Sequence, residues 1–130
     1  YLLLSATGSS PLFLFAQQQA PGMQRDGNTV AAQFQPGQTL EQAVTLNPGK
    51  CYTVLSVGVG IQEVDITLML TTPVPGMNPV LAQDSGSGAQ AALGGGGNCY
   101  KWSWPMAGQA KFVVKATNGS GVAAAQLYSK

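Results

Sequence analysis

Apolar residues in this chain alternate with polar ones at every second position far more often than they recur at the three-and-four spacing of a helix. From Val64 to Leu70, Val64, Ile66, Leu68 and Leu70 fall on one side of an extended chain, and Asp65, Thr67 and Met69 on the other. Ala110 to Ala116 repeats the pattern with Lys111 and Lys115 on the outward side. A period of two predicts half-buried strands with one solvated or partner-facing side. Further strands are expected over Pro11 to Gln17, Thr29 to Phe34, Glu41 to Leu46, Cys51 to Val57, Val80 to Gln83, Asn98 to Trp104 and Val122 to Ser129.

Turn chemistry separates these segments. Pro36-Gly37, Asn47-Pro48-Gly49 and Gly58-Val59-Gly60 punctuate the first half, and Pro73 to Pro79 and Gly94 to Gly97 the second. Asn118-Gly119-Ser120-Gly121 predicts a tight hairpin joining the last two strands. No stretch reads as a helix of any length, because Pro and Gly interrupt too often. The pattern predicts an all-β chain, an antiparallel two-sheet β-sandwich or jelly roll. One domain over 1–130 is expected, with 1–20 as an apolar N-terminal extension or strand.

Cys51 and Cys99 sit in matching settings, Gly49-Lys50-Cys51-Tyr52 and Gly97-Asn98-Cys99-Tyr100. The chain has no His and no further Cys to complete a zinc site. An intramolecular disulfide is the expected reading, which implies an oxidising compartment. Each Cys then opens a strand and points inward, and Tyr52 and Tyr100 point the other way.

From Asn47 onward the chain resembles the bacterial pre-peptidase C-terminal (PPC) domain, a small secreted jelly-roll module. The matching stretches are NPGKCYTVLSVG, EVDITLML with an Asp in a strand, VLAQDSGSG, and the closing AKFVVKATNGSGVAAAQLY. The resemblance spans roughly Asn47 to Lys130. It implies a non-catalytic accessory module of a secreted hydrolase. The cysteines and the apolar N-terminal extension depart from that pattern.

Composition narrows the function. Charged residues make up 8% of the chain, against about 25% in ordinary globular domains. Six basic residues face five acidic ones, for a net charge of +1. That balance gives no electrostatic footprint for nucleic acid, and a surface so poor in charge does little to prevent self-association. No apolar run approaches the roughly 18 residues of a membrane-spanning helix.

Catalysis is not expected. Without His there is no Ser-His-Asp or Cys-His arrangement, and no GxSxG elbow occurs. Glu63 and Asp65, two apart on one strand, either share a proton or cation or stand as a solvated pair. Asp65 and Asp84 are weak calcium candidates, since Ca²⁺ takes several carboxylate and carbonyl oxygens. Gly94 to Gly97 lacks the GK[ST] of a phosphate loop and reads as a flexible link or a close backbone approach. Asn118-Gly119-Ser120 fits a glycosylation sequon at a hairpin tip. No cofactor is expected.

Tyr100, Trp102 and Trp104 alternate on one predicted strand, so they either form a row that stacks on sugar rings or pack into the core. Leu2, Leu3, Leu4, Leu12, Phe13, Leu14 and Phe15 are continuously apolar. They form either an assembly strand that pairs with a neighbouring subunit or edge strands of the chain's own sandwich. The leading expectation is an extracellular, cell-surface structural subunit of a homo-oligomer or filament. The alternatives are a polysaccharide-binding or adhesive module and an accessory domain of a secreted hydrolase.

Overall fold

The computed structural model describes residues 11–72, 75–76, 78–84 and 87–130, with residues 11 and 13 by backbone only. Among the described residues, one helix precedes seven strands: α1 (Pro11–Gln19), β1 (Gln24–Phe34), β2 (Thr39–Leu46), β3 (Cys51–Leu70), β4 (Val80–Gln83), β5 (Gln90–Leu93), β6 (Tyr100–Lys101) and β7 (Gly108–Ser129). All pairings are antiparallel. β3 and β7 run side by side from Tyr52↔Ser129 to Leu70↔Ala110 and form the spine of the sheet. β1, β5 and β6 flank one half of the spine, and β2 and β4 flank the other.

The sheet folds over on itself, and its two halves become the layers of a sandwich around one core. Tyr52, Val54, Ala125 and Leu127 from one half share a cluster with Ile66, Leu68, Phe112 and Val114 from the other. Val64, Ile66, Leu68 and Leu70 all lie buried, as their alternation predicts.

The fold-over is built from glycine. The register between β3 and β7 shifts at Val59/Ile61, Ile61/Glu63 and Glu63/Val64. There Gly60 and Gly119 take φ of 85° and 90°, a left-handed conformation that costs a side chain dearly. The segments around Gly58 and Gly119 are therefore corners inside continuous strands, where turns between separate strands were expected. The reason is that both spine strands bend together and keep their pairing, so the glycines relieve crowding without reversing the chain.

Pro11 to Gln17, expected as a strand, begins a helix. Leu12, Phe15, Ala16 and Ala20 line one face and pack on Leu55, Val57, Ala124 and Tyr128, on the outer side of the sheet. Pro21 and Gly22, the latter at φ 75°, end the helix. The Gly94 to Gly97 stretch is a close approach: the Gly96 NH donates to the Gln19 carbonyl at 2.9 Å. A Cβ on Gly95 would meet Gln19 Oε1 at 2.5 Å.

Cys51 and Cys99 form the disulfide, with Cα atoms 5.4 Å apart across 48 residues of chain. The inward-pointing residue is Tyr52, fully buried, whereas Cys51 is half-buried. The expected orientation is thus inverted for this pair. Tyr52 is held by its hydroxyl, which accepts the Asn47 NH at 2.6 Å.

Candidate functional site: an aromatic cleft and a carboxylate trio

The ends of the spine strands meet opposite the glycine corner, beside the segment that leaves β6. The strand expected over Asn98 to Trp104 stops at Lys101, but one further bridge fixes the next residue. The Trp102 NH donates to the Lys50 carbonyl at 3.0 Å, and the Gly49 NH donates to the Trp102 carbonyl at 2.9 Å. The Trp102 indole packs closely against Gly108, where a Cβ would stand 2.4 Å from its Cζ2. Its Nε1 donates to the Met106 carbonyl at 2.9 Å and closes the short loop through Pro105.

Trp104 stacks on Trp102 with ring centroids 6.3 Å apart and planes inclined by 23°. The inner ring is 4% exposed, while Trp104 and Met106 are 45% and 69% exposed. Together with Leu70 and the polar Thr72 and Gln109 they line a cleft of about 320 Å³. Its surface is mostly apolar, and of its two indole NH groups that of Trp102 is already committed. Of the expected row of three, the structure brings Trp102 and Trp104 together. Tyr100 instead packs at the margin of the core, where burial raises its pKa.

The second cluster joins Glu63, Asp65 and Asp84, each with a carboxylate oxygen within 4.8 Å of the others. Glu63 accepts the Gly88 NH at 3.0 Å and Asp84 accepts the Ile66 NH at 2.9 Å. Asp65 accepts the Thr117 hydroxyl. Asp84 Oδ2 is buried without a partner.

For Glu63 the Gly88 hydrogen bond lowers the pKa, but the hydrogen bond and charge of Asp65, desolvation and the charge of Asp84 together hold it above the ordinary value. Desolvation raises Asp84, the Ile66 NH opposes this, and the charge of Asp65 adds to the rise. Lys115 stands opposite Asp65 in the ladder. Among the described residues, however, the ion pair formed is Lys111–Glu41, at 2.8 Å. The trio has the oxygen donors a hard cation takes, or it can share a proton among like charges.

Leu12 and Phe15 belong to the chain's own interior, and Leu14 is 50% exposed. Leu2, Leu3 and Leu4 lie outside the described residues, as does the side chain of Phe13. Met106 and Leu70, which complete the aromatic cleft, carry no signal in the sequence, because they stand 36 positions apart before folding brings them together. Among the described residues, no helix is long and apolar enough to cross a membrane.

No protein-family model matches the chain, and no curated protein matches it in sequence. Among solved structures its fold is similar to that of Aeromonas hydrophila PliG, described as a periplasmic lysozyme inhibitor of g-type lysozyme. The TM-score is 0.51 at 13% identity, over 85% of this chain and 90% of that one. At that identity the likeness is one of fold. The resemblance to the pre-peptidase C-terminal domain stands likewise at the level of a β-sandwich.

Proposed function

We propose that this chain is a non-catalytic binding module of an oxidising compartment, the cell envelope or its exterior, which docks a protein partner through the aromatic cleft. The observation that carries this reading is the exposure of Trp104 and Met106 directly beside a buried, rigidly held Trp102. Large exposed aromatic and Met side chains around a formed pocket are the anatomy of an interface anchor. The disulfide supports the compartment, and the fold is shared with a protein whose description makes it an inhibitor of an enzyme.

The cleft favours an apolar side chain of a partner over a sugar. A sugar ring stacked on Trp104 also needs several directed hydrogen bonds, and besides the Trp104 indole NH the side chains of the lining offer only Thr72 and Gln109. The assembly reading keeps Leu14 as its exposed apolar residue among the side chains described in α1. Retention of a native extracellular or envelope protein by the wild-type chain, and its loss with Trp104→Ala/Met106→Ala at unchanged melting temperature, supports the proposal. Retention that ignores both substitutions contradicts it. So does quenching of Trp104 by soluble β-glucan or chitin oligosaccharides, which marks a sugar site.

A further inference from the structure

A different part of the molecule holds a polar cleft of about 920 Å³, between the last turn of α1, the Pro21–Met23 connection and the first residues of β1. It exists because its walls lack bulk: Ala16 and Ala20 face it from the helix, and Gly22 and Gly27 from the backbone. Tyr128 lines it from β7, is only 4% exposed, and its buried hydroxyl has no hydrogen-bond partner. A buried hydroxyl left unpaired costs roughly 1–3 kcal/mol, so it marks a place where a partner atom belongs.

Arg25 stands directly opposite Tyr128 in the β1–β7 ladder, so their side chains rise from the same face. Burial shifts the Tyr128 phenol upward, and the Arg25 charge opposes that shift. Arg25 is exposed, forms no ion pair among the described residues, and is the one charged side chain in the lining.

Hydrogen bonds pin the stretch of β1 that follows Arg25. β1 bulges between Asp26 and Val30, and the fully buried Gln126 grips that bulge. Its Nε2 donates to the Asp26 and Gly27 carbonyls at 3.3 and 3.2 Å, and its Oε1 accepts the Thr29 hydroxyl at 2.5 Å. An open cleft, one free guanidinium and one orphan phenol donor together present two donors to one anion.

We propose that this cleft binds a carboxylate-bearing ligand of small-molecule size, one carboxylate oxygen taking the Arg25 guanidinium and the other the Tyr128 hydroxyl. A single positive charge and a single hydroxyl suit a planar monoanion better than a phosphate dianion. Asn28 and Gln17 at the rim take the ligand's hydroxyl or amide groups.

Two sources of the carboxylate fit, a uronic acid and a peptide C-terminus, and ¹H–¹⁵N NMR titration of the full chain separates them. The probes are glucuronate, glucose, N-acetylglycylglycine and its C-terminal amide. Saturable shifts at the Gly27, Asn28 and Thr29 amides are expected with an acid and absent with its neutral counterpart. Response to glucuronate alone identifies the sugar acid, and response to the dipeptide alone identifies the peptide end.

Arg25→Gln is expected to weaken binding at least about tenfold. Tyr128→Phe is expected to weaken it severalfold while leaving the melting temperature equal or higher, a combination that a purely structural hydroxyl does not give. The proposal is overturned if neither acid gives a saturable shift at millimolar concentration. Shifts that persist in Arg25→Gln, that glucose reproduces, or that inorganic phosphate matches overturn it too.

Discussion

A methyl group on Gly121 would stand 2.0 Å from the Val59 carbonyl oxygen, a backbone atom that cannot swing aside. Gly121→Ala is therefore expected to cost at least about 2–3 kcal/mol, read as a lower urea midpoint at unchanged slope. Gly49→Ala, with nothing within 4 Å of its Cβ, carries only the strain of its positive φ and should cost less. Equal stability of Gly121→Ala and wild type would refute the folded corner.

The carboxylate trio makes a prediction of opposite sign from most acidic residues. Glu63 and Asp84 have folded pKa values raised above their ordinary 4.5 and 3.8. The folded state thus holds protons that the unfolded chain has released, and stability falls as pH rises through the raised values. Glu63→Gln keeps an acceptor for the Gly88 NH and removes one charge. Its melting temperature should exceed that of wild type at pH 7, with the advantage gone below about pH 4. A variant less stable than wild type at pH 7 contradicts the repulsion.

Helix α1 shows how a local signal loses to a longer one. In α1, Leu12, Phe15, Ala16 and Ala20 take the three-and-four spacing of a helical face. Leu12, Phe13, Leu14 and Phe15 also form an unbroken apolar run, which a buried strand fits equally well. The deciding fact is tertiary: the outer face of the first sheet half exposes Leu55, Val57 and Tyr128, and a helix can cover them. Leu12→Ala is expected to cost about 2–5 kcal/mol and to leave the oligomeric state unchanged in size exclusion. A stable, folded Leu12→Ala chain that has changed its assembly instead would return the residue to an intermolecular role. The continuity of β3 and β7 was hidden for a related reason. Glycines at Gly58–Gly60 and Gly119–Gly121 read as chain reversals until the partner strand is known to bend with them.

The strand periodicity from Val64 to Leu70 and from Ala110 to Ala116 made the β class and its buried face legible, since alternation depends only on the backbone period. The matched cysteines made the disulfide legible through elimination of other thiol partners. Removing it as Cys51→Ala/Cys99→Ala should lower stability by up to about 4 kcal/mol, visible in a denaturant curve. The two candidate sites were only half legible, because each is assembled from segments remote in sequence. Trp102 and Trp104 announce themselves, but Leu70 and Met106 do not. Arg25 and Tyr128 meet only through the β1–β7 register.

Hydroxyl-radical footprinting of the loop from Trp102 to Met106 tests the binding-module reading most directly, comparing the free chain with the complex retained from its native setting. The expected result is fast oxidation of Trp104 and Met106 in the free chain, slow oxidation of Trp102, and protection of the first two in the complex. Trp104 and Met106 oxidised at the same rate in both states would contradict docking through the aromatic cleft.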